Sequence, residues 1–199
     1  MSLISIITVT KNAEKSLTDT INSVLCQTFL DYEFFIVDSL SNDSTISIAN
    51  IYKEYFQSKN ISYSVISEID SGIYDAMNKG INLTSGKWIC FLNSGDVFCD
   101  KDVLSSLFYN NTNNKFDFIY GNTITKFTNK DILAPKKLNK FFFFNQTICH
   151  QSIFTHRRVF ETLGLFDLRY KVISDRVFIY NAFLKGFKFF NSNIYISKW

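Results

Sequence analysis

The strongest constraint on the fold is residues 3–10, LISIITVT, a run of β-branched and apolar residues with no alternation of polar and apolar positions. Such a run suits a strand covered on both faces, the situation of a central strand in a parallel sheet. Past residue 10 the chain keeps switching period. Leu17, Ile21, Val24 and Leu25 fall at i, i+4, i+7 and i+8, one face of a helix. Residues 33–37 (EFFIV) read as a second strand, and the Ser/Asn/Asp cluster after them suits a helix start, with Ile48, Ile51, Tyr52, Tyr55 and Phe56 as that helix's apolar face. Residues 61–66 and 87–92 (KWICFL) make a third and fourth strand with a short helix between. Strands alternating with helices predict right-handed βαβ units and an α/β, doubly wound, mostly parallel sheet with helices on both faces.

Beyond residue 100 the pattern weakens. It predicts a helix over 101–110, a strand over 116–120, a closing helix with Ile173, Val177, Tyr180 and Leu184 on its buried face and Gly186 past its end, and a last strand over 187–196. The 199 residues fit one domain, and 46% hydrophobic against 20% charged residues exclude a disordered chain. One Pro and seven Gly exclude collagen-like and low-complexity classes. No apolar stretch is long enough to cross a membrane, and the N-terminus lacks the basic region of a secretion signal, so a cytosolic location is expected. Cys26, Cys90, Cys99 and Cys149 are widely spaced, without a Cys-x-x-Cys pair, and read as thiols.

The net charge of +3 is unevenly placed. Residues 1–100 hold six Lys and no Arg against 12 Asp and Glu, a balance of −6; the remainder holds 15 Lys and Arg against six acids, a balance of +9. The first half suits a cation and the second something anionic, although charge alone equally fits the solvated ends of one domain. In the first half three strands run into carboxylates, Asp38, Asp70 and Asp96, and in open parallel sheets ligands bind beyond the carboxyl ends of the strands. Acids gathered on one cleft call for a cation, and Mg²⁺ or Mn²⁺ arriving with substrate phosphates fits oxygen ligands. Each acid alone also reads as a strand-end or helix-cap carboxylate, the better reading for Asp38 by itself; the three in register point to a site. Neither GxGxxG nor GxxxxGK[ST] is present, so the phosphate cradles of dinucleotide and P-loop proteins are missing.

SIITVTKN at 5–12, IVDS at 36–39 with NDST at 42–45, EIDSGIYDAMNKG at 68–80 and FLNSGD at 91–96, then HQS at 150–152, GLFD at 164–167 and SD at 174–175, together resemble the family 2 glycosyltransferases of the GT-A fold. The resemblance spans roughly residues 3 to 190. It is nearest to bacterial enzymes of polysaccharide assembly whose metal motif reads Asn-Ser-Gly-Asp. It implies a single GT-A domain over 1–199, with a nucleotide-sugar half at 1–100 and an acceptor half at 101–199, in a family whose members often continue past the position of Trp199. It further implies that Thr8 and Thr10 line the base and ribose pocket, that Asp38 accepts a hydrogen bond from a uracil, and that Asp70, Gly72, Asn78 and Ser94 shape the nucleotide-sugar side. Asp96 matches the metal-binding acid, with Mn²⁺ or Mg²⁺ as cofactor, while Asn93 and Gly95 stand where many relatives carry further acids. Asp175 matches the catalytic base of an inverting transfer, and Ser174 replaces the acid that precedes it. His150 and Gln151 fall on the acceptor side.

The resemblance thus implies a UDP-sugar donor and a saccharide or lipid-linked saccharide acceptor in cell-surface polysaccharide synthesis, at the cytoplasmic membrane face. Other readings stand beside it. Asp175 also suits a helix's first turn, His150 a structural histidine, Tyr74, Met77 and Ile81 a helix core face, and Asp167 a turn. Ser174 and the thinned metal motif favour a non-catalytic sugar-nucleotide or glycan-binding module. A sugar-nucleotide pyrophosphorylase lacks its Gly-rich loop here. Lys136, Lys137 and Lys140 before four consecutive Phe suit an anionic bilayer surface or, equally, a basic turn ahead of a buried element. Nucleic acid is disfavoured, because no binding motif accompanies the charge.

Overall fold

The computed structural model describes residues 2–109, 115–126, 128 and 130–199. Its first half matches the alternation read from the sequence: β1 (Ile4–Thr10), α1 (Leu17–Leu25), β2 (Tyr32–Asp38), α2 (Thr45–Ile51), α3 (Lys53–Ser58), β3 (Ser62–Ser67), α4 (Ile73–Leu83) and β4 (Trp88–Phe91). β1 lies between β2 and β4, parallel to both, and β3 extends the parallel array beyond β2. Every residue of β1, β2 and β4 is buried, as the unalternating apolar runs require.

Alternate residues of β1 feed two separate cores. Ile4 and Ile6 pack with Leu17, Ile21, Phe34 and Phe56 on one face. Ile7 and Val9 pack with Met77, Ile81, Phe91 and Phe178 on the other. Fully burying an Ile or Phe side chain is worth about 1.5–3 kcal/mol, so the two sets hold helices against both faces of the sheet. Most of the 22 Phe serve these cores, through stacks such as Phe160–Phe178 and Phe118–Phe189.

The second half comprises β5 (Val97–Phe98), α5 (Val103–Phe108), β6 (Phe118–Ile124), β7 (Asp131–Ile132), α6 (Lys140–Asn145), β8 (Ile153–His156), α7 (Arg157–Leu163), α8 (Ser174–Leu184) and β9 (Phe189–Lys198). Here the sheet becomes mixed: β8 runs antiparallel between β4 and β6, and β9 pairs parallel with β6. The helix expected over 101–110 is α5, and its last expected residue lies outside the described residues.

Two helix faces differ from expectation. In the region of α2 and α3 the buried residues are Thr45, Ala49 and Phe56, while Ile51 and Tyr55 are exposed. The helix divides at Tyr52, whose N–H bonds the Ala49 carbonyl three residues back. α8 buries Ser174, Phe178, Ile179 and Ala182 and leaves Ile173 and Leu184 exposed. Apolar residues lie on several sides of α8, so spacing alone did not single out the side facing the sheet. Tyr180, at the margin, packs on Phe143 of α6.

At the amino end of the strands the buried Glu33 accepts from Ser5 Oγ at 2.7 Å, Ser85 N at 2.6 Å and Gly86 N at 2.8 Å. Gly86 is required there, since a Cβ would stand 2.5 Å from the Ser5 backbone nitrogen. This knot leaves the carboxyl end of the sheet open for a site.

Candidate active site

Register sets the first part of the site. Thr10 of β1 pairs with Asp38 of β2, and Asp38 with Ser67 of β3. Asp38 is fully buried, and its oxygens accept from Ser67 Oγ at 2.7 Å, Ser41 N at 2.8 Å and Ser41 Oγ. It therefore anchors the 39–41 turn, where Leu40 is held at a φ of 46°. Beside it opens a cleft of about 230 Å³, lined by Val9, Thr10, Lys11, Ser39, Asp70 and Ile73 among others. Asp70 Oδ1 accepts from Gly72 N at 3.0 Å, which shapes the turn into α4.

Thr8 and Asn78 are not among the residues that line this cleft. The Thr8 hydroxyl is buried and donates to the Leu92 carbonyl at 2.6 Å, tying β1 to the end of β4. The Asn78 amide is used on both sides: Nδ2 donates to the Phe166 carbonyl and Oδ1 accepts from Phe166 N, each at 2.9 Å. It clamps α4 to the segment leading into α8.

The second part of the site is the Asn93-Ser94-Gly95-Asp96 loop at the end of β4. Gly95 has a φ of +98°, a conformation that disfavours any side chain. The Thr20 hydroxyl fixes the loop from α1, accepting from Gly95 N at 2.9 Å and donating to the Asp96 carbonyl at 2.8 Å. Ser94 stands 3.1 Å from Ser16 Oγ, and its N–H reaches back to the Val9 carbonyl, so the loop and the cleft share one sheet end. Burial pushes the Asp96 carboxyl up to about 6, against the opposing pull of Lys126.

Across the loop stands α8. Asn93 Nδ2 lies 3.0 Å from His150 Nε2, and His150 Nδ1 lies 3.6 Å from Asp175 Oδ2. The Tyr74 hydroxyl donates to Asp175 Oδ1 at 2.6 Å, with the Val172 carbonyl as an alternative acceptor at 2.8 Å. Burial lowers the pKa of His150, with Asp175 pulling the other way, which favours the neutral ring. Burial, and after it the charges of Asp175 and Asp96, raises the Cys149 thiol pKa. Gln151 is buried next to His150 in the 3₁₀ turn His150–Ser152. The Ser174 hydroxyl is spent on the Asp167 carbonyl at 2.9 Å, and Asp167 pairs with Arg169 in a surface turn. A larger hollow of about 540 Å³ lies on the outer side of α7 and α8, lined by Leu163, Asp167, Arg169 and Phe178 among others.

Two buried side-chain atoms among the described residues have no hydrogen-bond partner, Thr10 Oγ1 and Asn93 Oδ1. Both lie at the carboxyl end of the sheet, one in the cleft and one in the loop. A buried polar atom without a partner costs about 1–3 kcal/mol, which a ligand's donor or a cation would recover. The donors suit a hard divalent ion: one carboxylate, Asp96, and one uncommitted amide oxygen, Asn93 Oδ1. They are few, and no group of three His, Cys, Asp or Glu among the described residues is placed to hold a metal, so most ligands of such an ion would come from a bound phosphate and water.

Tyr74 and Lys126 are the site residues that sequence reasoning missed. Tyr74 lies inside the 68–80 motif, but its helical spacing favoured the core, where its ring does sit. No local signal marks Lys126, whose position depends on pairing between β6 and β9.

Fold and site together define a GT-A α/β domain, with a cleft and the Asp96 loop beyond the carboxyl ends of its parallel strands. The chain belongs to glycosyl transferase family 2, whose family profile matches residues 5–191. It is 34% identical over 174 residues to the "PGL/p-HBAD biosynthesis glycosyltransferase" of Mycobacterium bovis, covering 87% of this chain and 66% of that protein. It is 27% identical over 171 residues to an uncharacterized glycosyltransferase of Methanocaldococcus jannaschii, covering 81% of this chain and 58% of that protein. The chain thus spans just under two thirds of the length of these curated relatives. Among solved structures, S. aureus TarS 1-349 in complex with UDP-GlcNAc superposes over all of this chain and 58% of its own, with a TM-score of 0.82 at 19% identity. The mannosyltransferase PcManGT of Pyrobaculum calidifontis, in complex with GDP-Man and Mn²⁺, superposes over 99% of this chain and 56% of its own, with a TM-score of 0.76 at 14% identity.

Proposed function

We propose that this chain is the catalytic domain of an inverting, metal-dependent glycosyltransferase. It moves a sugar from UDP to a saccharide or lipid-linked saccharide acceptor in cell-surface polysaccharide synthesis, at the cytoplasmic face of the membrane. The observation that carries the reading is the chain of contacts Asn93–His150–Asp175, which sets a carboxylate on α8 opposite the acidic loop of β4. A glycosyltransferase relative and a neighbour that binds UDP-GlcNAc support it.

In this reading Val9, Thr10, Lys11, Ser39 and Asp70 hold the nucleoside, and Asp38 sets the base-side wall through its turn. Asp96 and Asn93 hold a divalent cation, Mn²⁺ or Mg²⁺, which when bound stabilises the leaving diphosphate as a Lewis acid. Asp175 is the base. The acceptor oxygen bonds the anomeric carbon as the bond to the diphosphate oxygen breaks, and the hydroxyl proton passes to the Asp175 carboxylate. Tyr74 fixes one oxygen of that carboxylate, and the other faces His150 Nδ1 at 3.6 Å. His150 and Gln151 border the acceptor.

Phe141 and Phe144, three apart on α6, are 78% and 82% exposed beside the exposed Lys136, Lys137 and Lys140. Arg176, next to Asp175, donates to the carbonyls of Phe143 and Phe144, so this apolar, basic face adjoins the base. It would bring the site to an anionic membrane surface, where a lipid-linked acceptor lies. No helix among the described residues is long and apolar enough to cross a membrane.

UDP release from a panel of UDP-sugars, with Mn²⁺ and with chelator, tests the proposal. The expected result is metal-dependent turnover that Asp175→Asn abolishes while UDP binding persists, whereas Asp96→Ala removes the metal-dependent binding itself. One observation favours a second reading: Ser174 stands in place of an acid and is committed to Asp167. Metal-dependent UDP binding with no turnover on any acceptor would establish that reading, a sugar-nucleotide-binding module.

A further inference from the structure

The structure brings a lysine from the far half of the chain onto the metal loop. β6 ends at Ile124, paired with Lys198 of β9, and the Trp199 N–H donates to the Ile124 carbonyl at 3.0 Å. Lys126 N in turn donates to the Trp199 carbonyl, which fixes the backbone on both sides of the lysine's approach. The half-buried side chain crosses to the first half of the fold, where Nζ donates to the Gly95 carbonyl. An ammonium has three donors, and Gly95 takes one. Among the described residues Lys126 has no ion-pair partner within 4 Å.

The charge balance of the loop gives this position meaning. Asp96 is the sole acid in Asn93-Ser94-Gly95-Asp96, so Lys126 brings the loop to neutrality before any ion or substrate arrives. At this end of the sheet a neutralised loop no longer repels a phosphate, where unpaired acids would repel it until a metal intervenes.

We propose that Lys126 is a resident cation of the diphosphate site, donating to the β-phosphate of the nucleotide and taking over part of the charge neutralisation that a divalent ion would otherwise supply alone. This inference rests on the sugar-nucleotide reading above. Nucleotide binding is therefore only partly metal-dependent, and Lys126 discriminates a nucleoside diphosphate from a monophosphate.

Isothermal titration of UDP, UMP and uridine into wild type, Lys126→Met and Lys126→Arg, each with Mn²⁺ and with chelator, tests this. Wild type should keep measurable UDP binding in chelator. Lys126→Met should weaken UDP there by about tenfold to a hundredfold, the loss of one charge-assisted hydrogen bond, with uridine and UMP little changed. Lys126→Arg should retain most of the affinity. Asn93→Asp should strengthen UDP binding in Mn²⁺ and weaken it in chelator. Equal losses for UDP, UMP and uridine in Lys126→Met would mean that the lysine only props the loop, which overturns the proposal. So would UDP binding in Lys126→Met unchanged from wild type. Wild type that binds none of the three ligands in either condition would overturn the nucleotide reading itself, and this inference with it.

Discussion

Asn78 offers the sharpest separation between a donor-contacting residue and a structural clamp. Asn78→Leu keeps the side-chain size but removes both partners of the Phe166 backbone, leaving a buried N–H and a buried C=O unpaired. Each orphaned group costs about 1–3 kcal/mol, so the pair should cost about 2–6 kcal/mol, partly offset by the added apolar contact. Against a total stability of about 5–15 kcal/mol this is a large fraction. For a domain of this size a loss of about 3 kcal/mol lowers Tm by roughly 6–12 °C. Urea unfolding followed by circular dichroism gives the free energy, and UDP titration of the folded variant gives the affinity. The expected outcome is a lower urea midpoint with UDP affinity within about threefold of wild type, a difference under 1 kcal/mol. A variant of wild-type stability that binds UDP tenfold more weakly would refute the clamp and return Asn78 to the donor pocket.

Asp96, pushed up to about 6, carries a proton below that pH and an open carboxylate above it, so the proposed cation binding is expected to be full at pH 7.5 and to weaken on acidification. Mn²⁺ affinity should fall about tenfold between pH 7.5 and pH 5, and a flat profile would place the ion elsewhere. Tyr74→Phe frees one oxygen of Asp175 and should lower kcat about tenfold with KM for the donor unchanged; steady-state kinetics with unaltered kcat would remove Tyr74 from the machinery. Gly86→Ala drives a Cβ to 2.5 Å from the Ser5 backbone and should cost about 1–3 kcal/mol in urea unfolding, with UDP affinity untouched in the folded fraction.

The parallel half was legible because each of its signals is local. An unalternating run such as 3–10 has one economical use, and the strand ends carry Asp38, Asp70 and Asp96 wherever the sheet orders them. The mixed half was less legible. β8 is four residues long, and its place between β4 and β6 comes from pairing over distances that no periodicity records. The face of α8 was misread for a related reason, since an apolar helix packed on several sides has no single stripe.

The residues by themselves determined the sheet's central strands, the sequence of motifs and the identities of the acids, since strand propensity, helix spacing and side-chain chemistry are properties of short segments. Only the tertiary structure decided what each polar group faces. It buried Asp38 and Thr8 against their own chain, spent Asn78 on Phe166, joined Asn93 to Asp175 through His150 and laid Lys126 on Gly95. These are contacts between segments separated by tens of residues. Their partners are set by register and packing, which exist only after the chain has folded.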